Sequence, residues 1–170
     1  MKKRWINICL ALTLTTGPSL MIETTAQATG RGPCSADRYD VTRSTPTDVR
    51  ERKMRALIRC AFTRFGIPEE IDTAFVIAQR ESGFNPWAKN PNEAAACRPW
   101  SETSYGSCGI YQELSRFHST RVRAYLRERW FPRTWPEVPI LQARANVLIA
   151  ALMVRARGWC DWTAPDYCGG

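Results

Sequence analysis

A single histidine, His118, and the lack of any C-x-x-C pair deprive this chain of the ligand spacing that zinc sites use. No metal and no cofactor are therefore expected. Strand-like alternation is scarce, and there is neither an internal repeat nor a low-complexity segment. That turns the reading away from sheet folds and repeat arrays. Acidic residues are in deficit as well, with 16 Asp and Glu against 24 Lys and Arg and a formal charge of +8. Such an excess favours anionic partners. Nucleic acid is not the expected one, because no nucleic-acid-reading motif accompanies the charge.

What is present begins with Lys2, Lys3 and Arg4 ahead of an apolar stretch from Trp5 to about Ile22. Ala26-Gln27-Ala28 then supplies a small-x-small pattern, so residues 1–28 read as a signal peptide cleaved after Ala28. The stretch approaches the roughly 20 residues of a membrane span. Pro18 and the threonines around it weaken that alternative. Export predicts a secreted, cell-wall or periplasmic location. Cys9 leaves with the peptide, and Cys34, Cys60, Cys97, Cys108, Cys160 and Cys168 remain. An even set of cysteines in an exported chain of this size reads as a framework of about three disulfides, with the pairing open. Residues 29–170 fit one domain, expected to be a monomer. Within it, 29–44 is an extended arm tied down through Cys34, and 45–170 is the folded unit.

Helix signals start at Thr45, which reads as an N-cap, with Pro46 in the first helical position and Asp48 in the first turn. Met54, Leu57, Ile58, Ala61, Phe62 and Phe65 form one apolar stripe, and Gly66 stops the helix. A second helix is predicted from Pro68 to Ser82, burying Ile71, Ala74, Phe75 and Ala78. The aperiodic segment from Phe84 to Ser107 is rich in Asn, Pro, Ser and Ala and reads as a functional loop, the more so if Cys97 bridges Cys108. Two further helices are predicted, from about Ser119 to Arg129 and from Pro139 to Arg157. The last one has Leu141, Ala145, Leu148, Ile149 and Leu152 on one side and ends at Gly158. The fold class is mostly α.

Glu81 falls in the last turn of the second helix, three residues after Ala78 and seven after Ala74, near the apolar face. The negative end of the helix dipole and apolar burial would both keep its carboxyl protonated, as a general acid requires. A glutamate at a helix end is commonly just solvated; its surroundings change the weight. Glu81-Ser82-Gly83-Phe84-Asn85-Pro86, with Ala88 and Asn90 after it, resembles the catalytic motif of the soluble lytic transglycosylase family, within the lysozyme-like superfamily. Gly106-Ser107-Cys108-Gly109-Ile110-Tyr111-Gln112 resembles the family's G-x-x-G-[LI]-x-Q stretch. Asn146, followed by Gly158-Trp159 and Trp162, is similar to the ending of its compact members. The likeness runs from about Met54 to Trp162.

The resemblance implies a single lysozyme-like domain with a long active-site loop, acting on peptidoglycan glycan strands. Glu81 would protonate the β-1,4 bond between N-acetylmuramic acid and N-acetylglucosamine, then act as base toward the muramoyl 6-hydroxyl to give a 1,6-anhydro product. Ser82 would hydrogen-bond the sugar or Glu81, and Gln112 would contact the substrate. Tyr111, Trp159 and Trp162 would stack on sugar faces, and Asn146 would reach the site from the last helix. Gly106 and Gly109 would let the backbone pass close to sugar. Plainer roles stand beside these: a helix-ending serine, tight-turn glycines and buried aromatic packing. The Tyr-Asn pair near the end of larger members is missing, and Arg157-Gly158-Trp159-Cys160 stands there instead. Cys108 inside the glycine motif also departs from the pattern, and its simplest partner is Cys97.

Two other functions remain in view. A lysozyme-type hydrolase would need a second carboxylate, for which Glu93 and Glu102 are the candidates. A non-catalytic cationic wall-binding protein would need only the basic charge. Arg116, Arg121, Arg123, Arg127 and Arg129 would then hold anionic cell-wall polymers; otherwise they are the wet face of a helix and its approach.

Overall fold

The structure, a computed structural model, describes residues 32–90, 97, 106–114, 117–131 and 138–162. The predicted signal peptide, Glu93, Glu102, Arg116 and Cys168 lie outside these residues. The apolar stripe of the first helix becomes α1, Thr47–Arg64, with Met54, Leu57, Ile58, Ala61 and Phe62 buried. Pro46 is its N-cap, one residue later than predicted, because the Thr45 hydroxyl accepts the Thr42 N–H at 2.9 Å rather than capping the helix. The helix closes through Gly66 at φ +76°. The Gly66 and Ile67 N–H groups reach back to Thr63 O at 3.1 Å and Phe62 O at 3.0 Å, a Schellman arrangement that only a left-handed residue permits.

Each remaining helix is shorter than its sequence pattern. Pro68–Glu70 forms a tighter 3-10 turn, with the Glu70 N–H on Ile67 O at 3.2 Å, before α2 runs over Ile71–Ser82. The third helix, α3, spans His118–Tyr125 and stops because buried Leu126 turns into an extended conformation. Arg127 and Arg129 therefore lie beyond it, at a separate 3-10 turn over Glu128–Trp130. The fourth, α4, spans Ala143–Arg157 rather than starting at Pro139. Ahead of it, Ile140 packs with Cys97 and Cys108 in a small apolar cluster of its own, with Leu141 against it. Burying these residues keeps them off the helix axis. A hairpin of two-residue strands, β1 at Ser107–Cys108 and β2 at Glu113–Leu114, pairs Ser107 with Leu114 and Cys108 with Glu113. Strands so short carry no alternation that a sequence could display.

The core is organised around α4, which α1 and α3 flank, while α2 packs on α1. Residues Ala145, Asn146, Val147, Leu148, Ile149, Ala150, Ala151, Met153 and Val154 are all buried. The sequence predicts one buried side; enclosure by two helices and the glycine loop buries the helix almost all round, with Leu152 only half-buried. Cys34–Cys60 ties the N-terminal arm to α1, and Cys97–Cys108 ties the loop to β1. Cys160 is also disulfide-bonded. The arm is not simply extended. A 3-10 turn at Asp37–Tyr39 sinks Tyr39 into the core, and Arg144 Nε donates to Pro33 O at 3.0 Å. Among the described residues, no helix is long and apolar enough to cross a membrane.

Candidate active site

Glu81 sits in the last turn of α2, but not enclosed by apolar groups as its spacing suggests. Its side chain is 24% exposed, and Oε1 accepts from Arg80 Nη2 at 2.7 Å and Nε at 3.1 Å. Arg80 is held in turn by the Trp162 carbonyl at 2.9 Å. The neighbour on the helix folds over the acid because a backbone oxygen from beyond α4 anchors it. Ser82 donates its hydroxyl back to Ala78 O at 3.2 Å, so here it closes the helix.

The chain then turns sharply. Gly83 and Phe84 both adopt left-handed conformations, at φ +58° and +57°. For a bulky residue this costs about 1–3 kcal/mol. The fully buried Phe84 ring offsets it through an edge contact with Phe75 at 6.4 Å and the Arg55 guanidinium at 4.3 Å. Asn85 Oδ1 next accepts the Trp87 N–H at 3.0 Å, which brings Ala88 against the glycine loop. The Ala88 carbonyl accepts both the Gly109 N–H at 2.9 Å and Gln112 Nε2–H at 3.3 Å. Gln112 also donates to Gly109 O at 2.8 Å, in a left-handed turn at φ +49°. Its amide N–H groups therefore serve the loop itself.

Asn146 lies behind this loop. It is 1% exposed, its Oδ1 accepts the Tyr111 N–H at 3.0 Å, and its Nδ2 donates to Cys108 O at 3.3 Å. Gly109, at φ +80°, is required at this point: a Cβ there would stand 2.6 Å from Asn146 Nδ2. Asn146 thus supports the backbone of the glycine motif from within the core. Tyr111 is fully buried, donates its hydroxyl to Ala74 O at 3.3 Å, and packs against Trp162 and Trp159 at 5.9 and 6.3 Å. Burial is the main reason its phenol is raised well above the usual range, with the nearby Glu113 adding to it. Trp162 Nε1–H reaches Tyr111 O at 2.7 Å, and Trp159 Nε1–H reaches Glu70 at 2.7 Å while its ring stacks on Phe62. These rings form an internal wall, with Trp159 and Trp162 only partly covered.

Glu113, adjacent to Gln112, was not among the residues singled out from sequence. It is 2% exposed, and neither carboxyl oxygen has a hydrogen-bond partner among the described residues. Burial pushes its carboxyl from 4.5 to about 8; Arg121 works against this shift and Asp161 adds to it. The available signal was an acid in a stretch, Ile110 to Leu114, whose other residues are mostly apolar. A separate cavity of about 310 Å³ opens between the N-terminal arm and the start of α4. Pro86, Trp87 and Arg144 reach it, but Glu81, Ser82 and Gln112 do not. The chemistry is better sought at the hydrogen-bonded junction than in that cavity. Compared with protein-family models, with curated proteins and with solved structures, the chain finds no match.

Proposed function

We propose that the chain is an exported enzyme that cleaves peptidoglycan glycan strands, a lytic transglycosylase on a lysozyme-like domain, with Glu81 as general acid and base. One observation carries the proposal. The three sequence segments that resemble the transglycosylase motifs, 81–90, 106–112 and 146–162, are bonded to one another through Ala88, Gly109, Gln112, Asn146 and Trp162. Arg80 is 57% exposed, so its pairing with Glu81 is a weak surface contact. An entering glycan strand can displace it, and the freed carboxylate, once it has taken a proton from the solvent, gives that proton to the glycosidic oxygen. The same carboxylate then removes the proton of the muramoyl 6-hydroxyl, which closes on the anomeric carbon, and no water is consumed. Disulfides fit an oxidising compartment, and the basic surface suits an anionic wall.

A lysozyme-type hydrolase is the rival, and it needs a second carboxylate in reach of water. Among the described residues near the glycine loop, Glu113 is buried and Asp161 is ion-paired with Arg157 and Arg121. Neither is free to activate water, while Glu93 and Glu102, the carboxylates the hydrolase reading names, lie outside the described residues. Mass spectrometry of peptidoglycan digested by the purified protein separates the two. Anhydro-muramoyl ends are expected, and reducing muramic ends would replace the lyase by the hydrolase.

A further inference from the structure

Beneath the loop that carries Gln112 lies a group of ionisable side chains, buried at Glu113, His118 and Tyr111 and reaching the surface at Asp161, with no part in the chemistry proposed above. Glu113 enters it from β2 with both oxygens unpartnered. From α3 come Arg121, whose side chain is 11% exposed, and His118, which is 4% exposed and donates Nε2–H to Val138 O at 2.6 Å while Nδ1 has no partner. From beyond α4 comes Asp161, 3.9 Å from Arg121 and paired also with Arg157. Tyr111, two residues before Glu113 on the same loop, completes the set. Arg121 is close enough to Glu113 and His118 to act on both electrostatically, yet its ion pair is with Asp161.

We propose that Glu113 is a proton-controlled positioning residue: neutral, it lets the Gln112 loop close, and ionised, it draws Arg121 from Asp161 and loosens the loop. The route to Glu81 is a chain of contacts already described. Asp161 precedes Trp162, whose indole N–H holds the Tyr111 carbonyl and whose own carbonyl holds Arg80, the partner of Glu81. A buried carboxylate with no hydrogen bond is costly, so an acid in this position folds in its neutral form. Releasing its proton must recruit Arg121 or open the site to water. The link to activity rests on the proposed role of Glu81; the effect on folding does not.

The sign is fixed by linkage. With its folded value raised to about 8 from 4.5, Glu113 gives stability that is full below pH 4.5 and is lost as pH climbs to about 8. His118 acts oppositely: burial lowers its value below 6.5, so it adds stability as pH rises toward 6.5. Between about pH 6.5 and 8 Glu113 acts unopposed by His118. Thermal midpoints of the disulfide-intact protein should fall across that interval, and Glu113→Gln should remove most of the fall. Glycan cleavage should lose its alkaline limb in the same variant, with the acid limb unmoved. An unchanged slope and an unchanged alkaline limb in Glu113→Gln would overturn the proposal. Should that variant not fold, infrared spectra of the wild type decide: a protonated carboxyl band that disappears between pH 7 and 9 supports it, and no such band refutes it. A wild type without cleaving activity would sink the role of Glu81, and the thermal slopes alone would then judge Glu113.

Discussion

Asn146 carries more of the site than any other single side chain outside it. Its amide satisfies two backbone groups of the glycine motif that water cannot reach. Asn146→Leu would fill the space but leave the Tyr111 N–H and the Cys108 carbonyl unpaired. A buried group deprived of its partner costs about 1–3 kcal/mol, so the variant should unfold several degrees lower, read by circular dichroism, and cleave poorly. The sequence expects Asn146 at the substrate; its burial assigns it to the loop backbone. The same contrast holds for Tyr111, whose type suits sugar stacking but which lies in the core. Residue type and spacing identify these positions as special without telling which side of the backbone they face. Glu81 differs in another way: its last-turn position is legible from spacing, while its pairing with Arg80 depends on Trp162, 81 positions on, which no local pattern encodes.

At the scale of elements, the four helices follow from apolar periodicity because each buries a stripe or more against a neighbour. Their ends are less legible. Leu126 and Ile140 continue an apolar pattern, but tertiary packing takes them in extended or turning backbone instead. The hairpin is invisible to periodicity, and the bridge between Cys97 and Cys108 is what ties the preceding loop to it. The bridge closes a short loop, 11 residues apart in sequence, for which chain entropy suggests about 3 kcal/mol. Replacing both cysteines by serine should therefore lower the thermal midpoint and reduce cleavage more than it reduces helical content. Full activity in the doubly substituted protein would show that the site does not depend on the hairpin.

Taken whole, the molecule is a helical body with α4 at its centre and a small disulfide-tied loop region against it, carried on a chain of formal charge +8. If anionic polymers are partners, attraction to isolated cell walls should fall steeply between low and high salt, because exposed charges are screened over about 10 Å at 0.1 M. Binding that ignores salt would assign the basic surface to solubility alone. Charge cannot distinguish an enzyme from a wall binder, but Glu81 can. The wild type and Glu81→Gln should be incubated with isolated peptidoglycan, with soluble products identified by mass and sedimentation used to measure binding. Anhydro-muramoyl fragments are expected from the wild type and none from the variant, with equal binding and equal thermal stability. Continued glycan cleavage by a purified Glu81→Gln protein would contradict the mechanism at its centre.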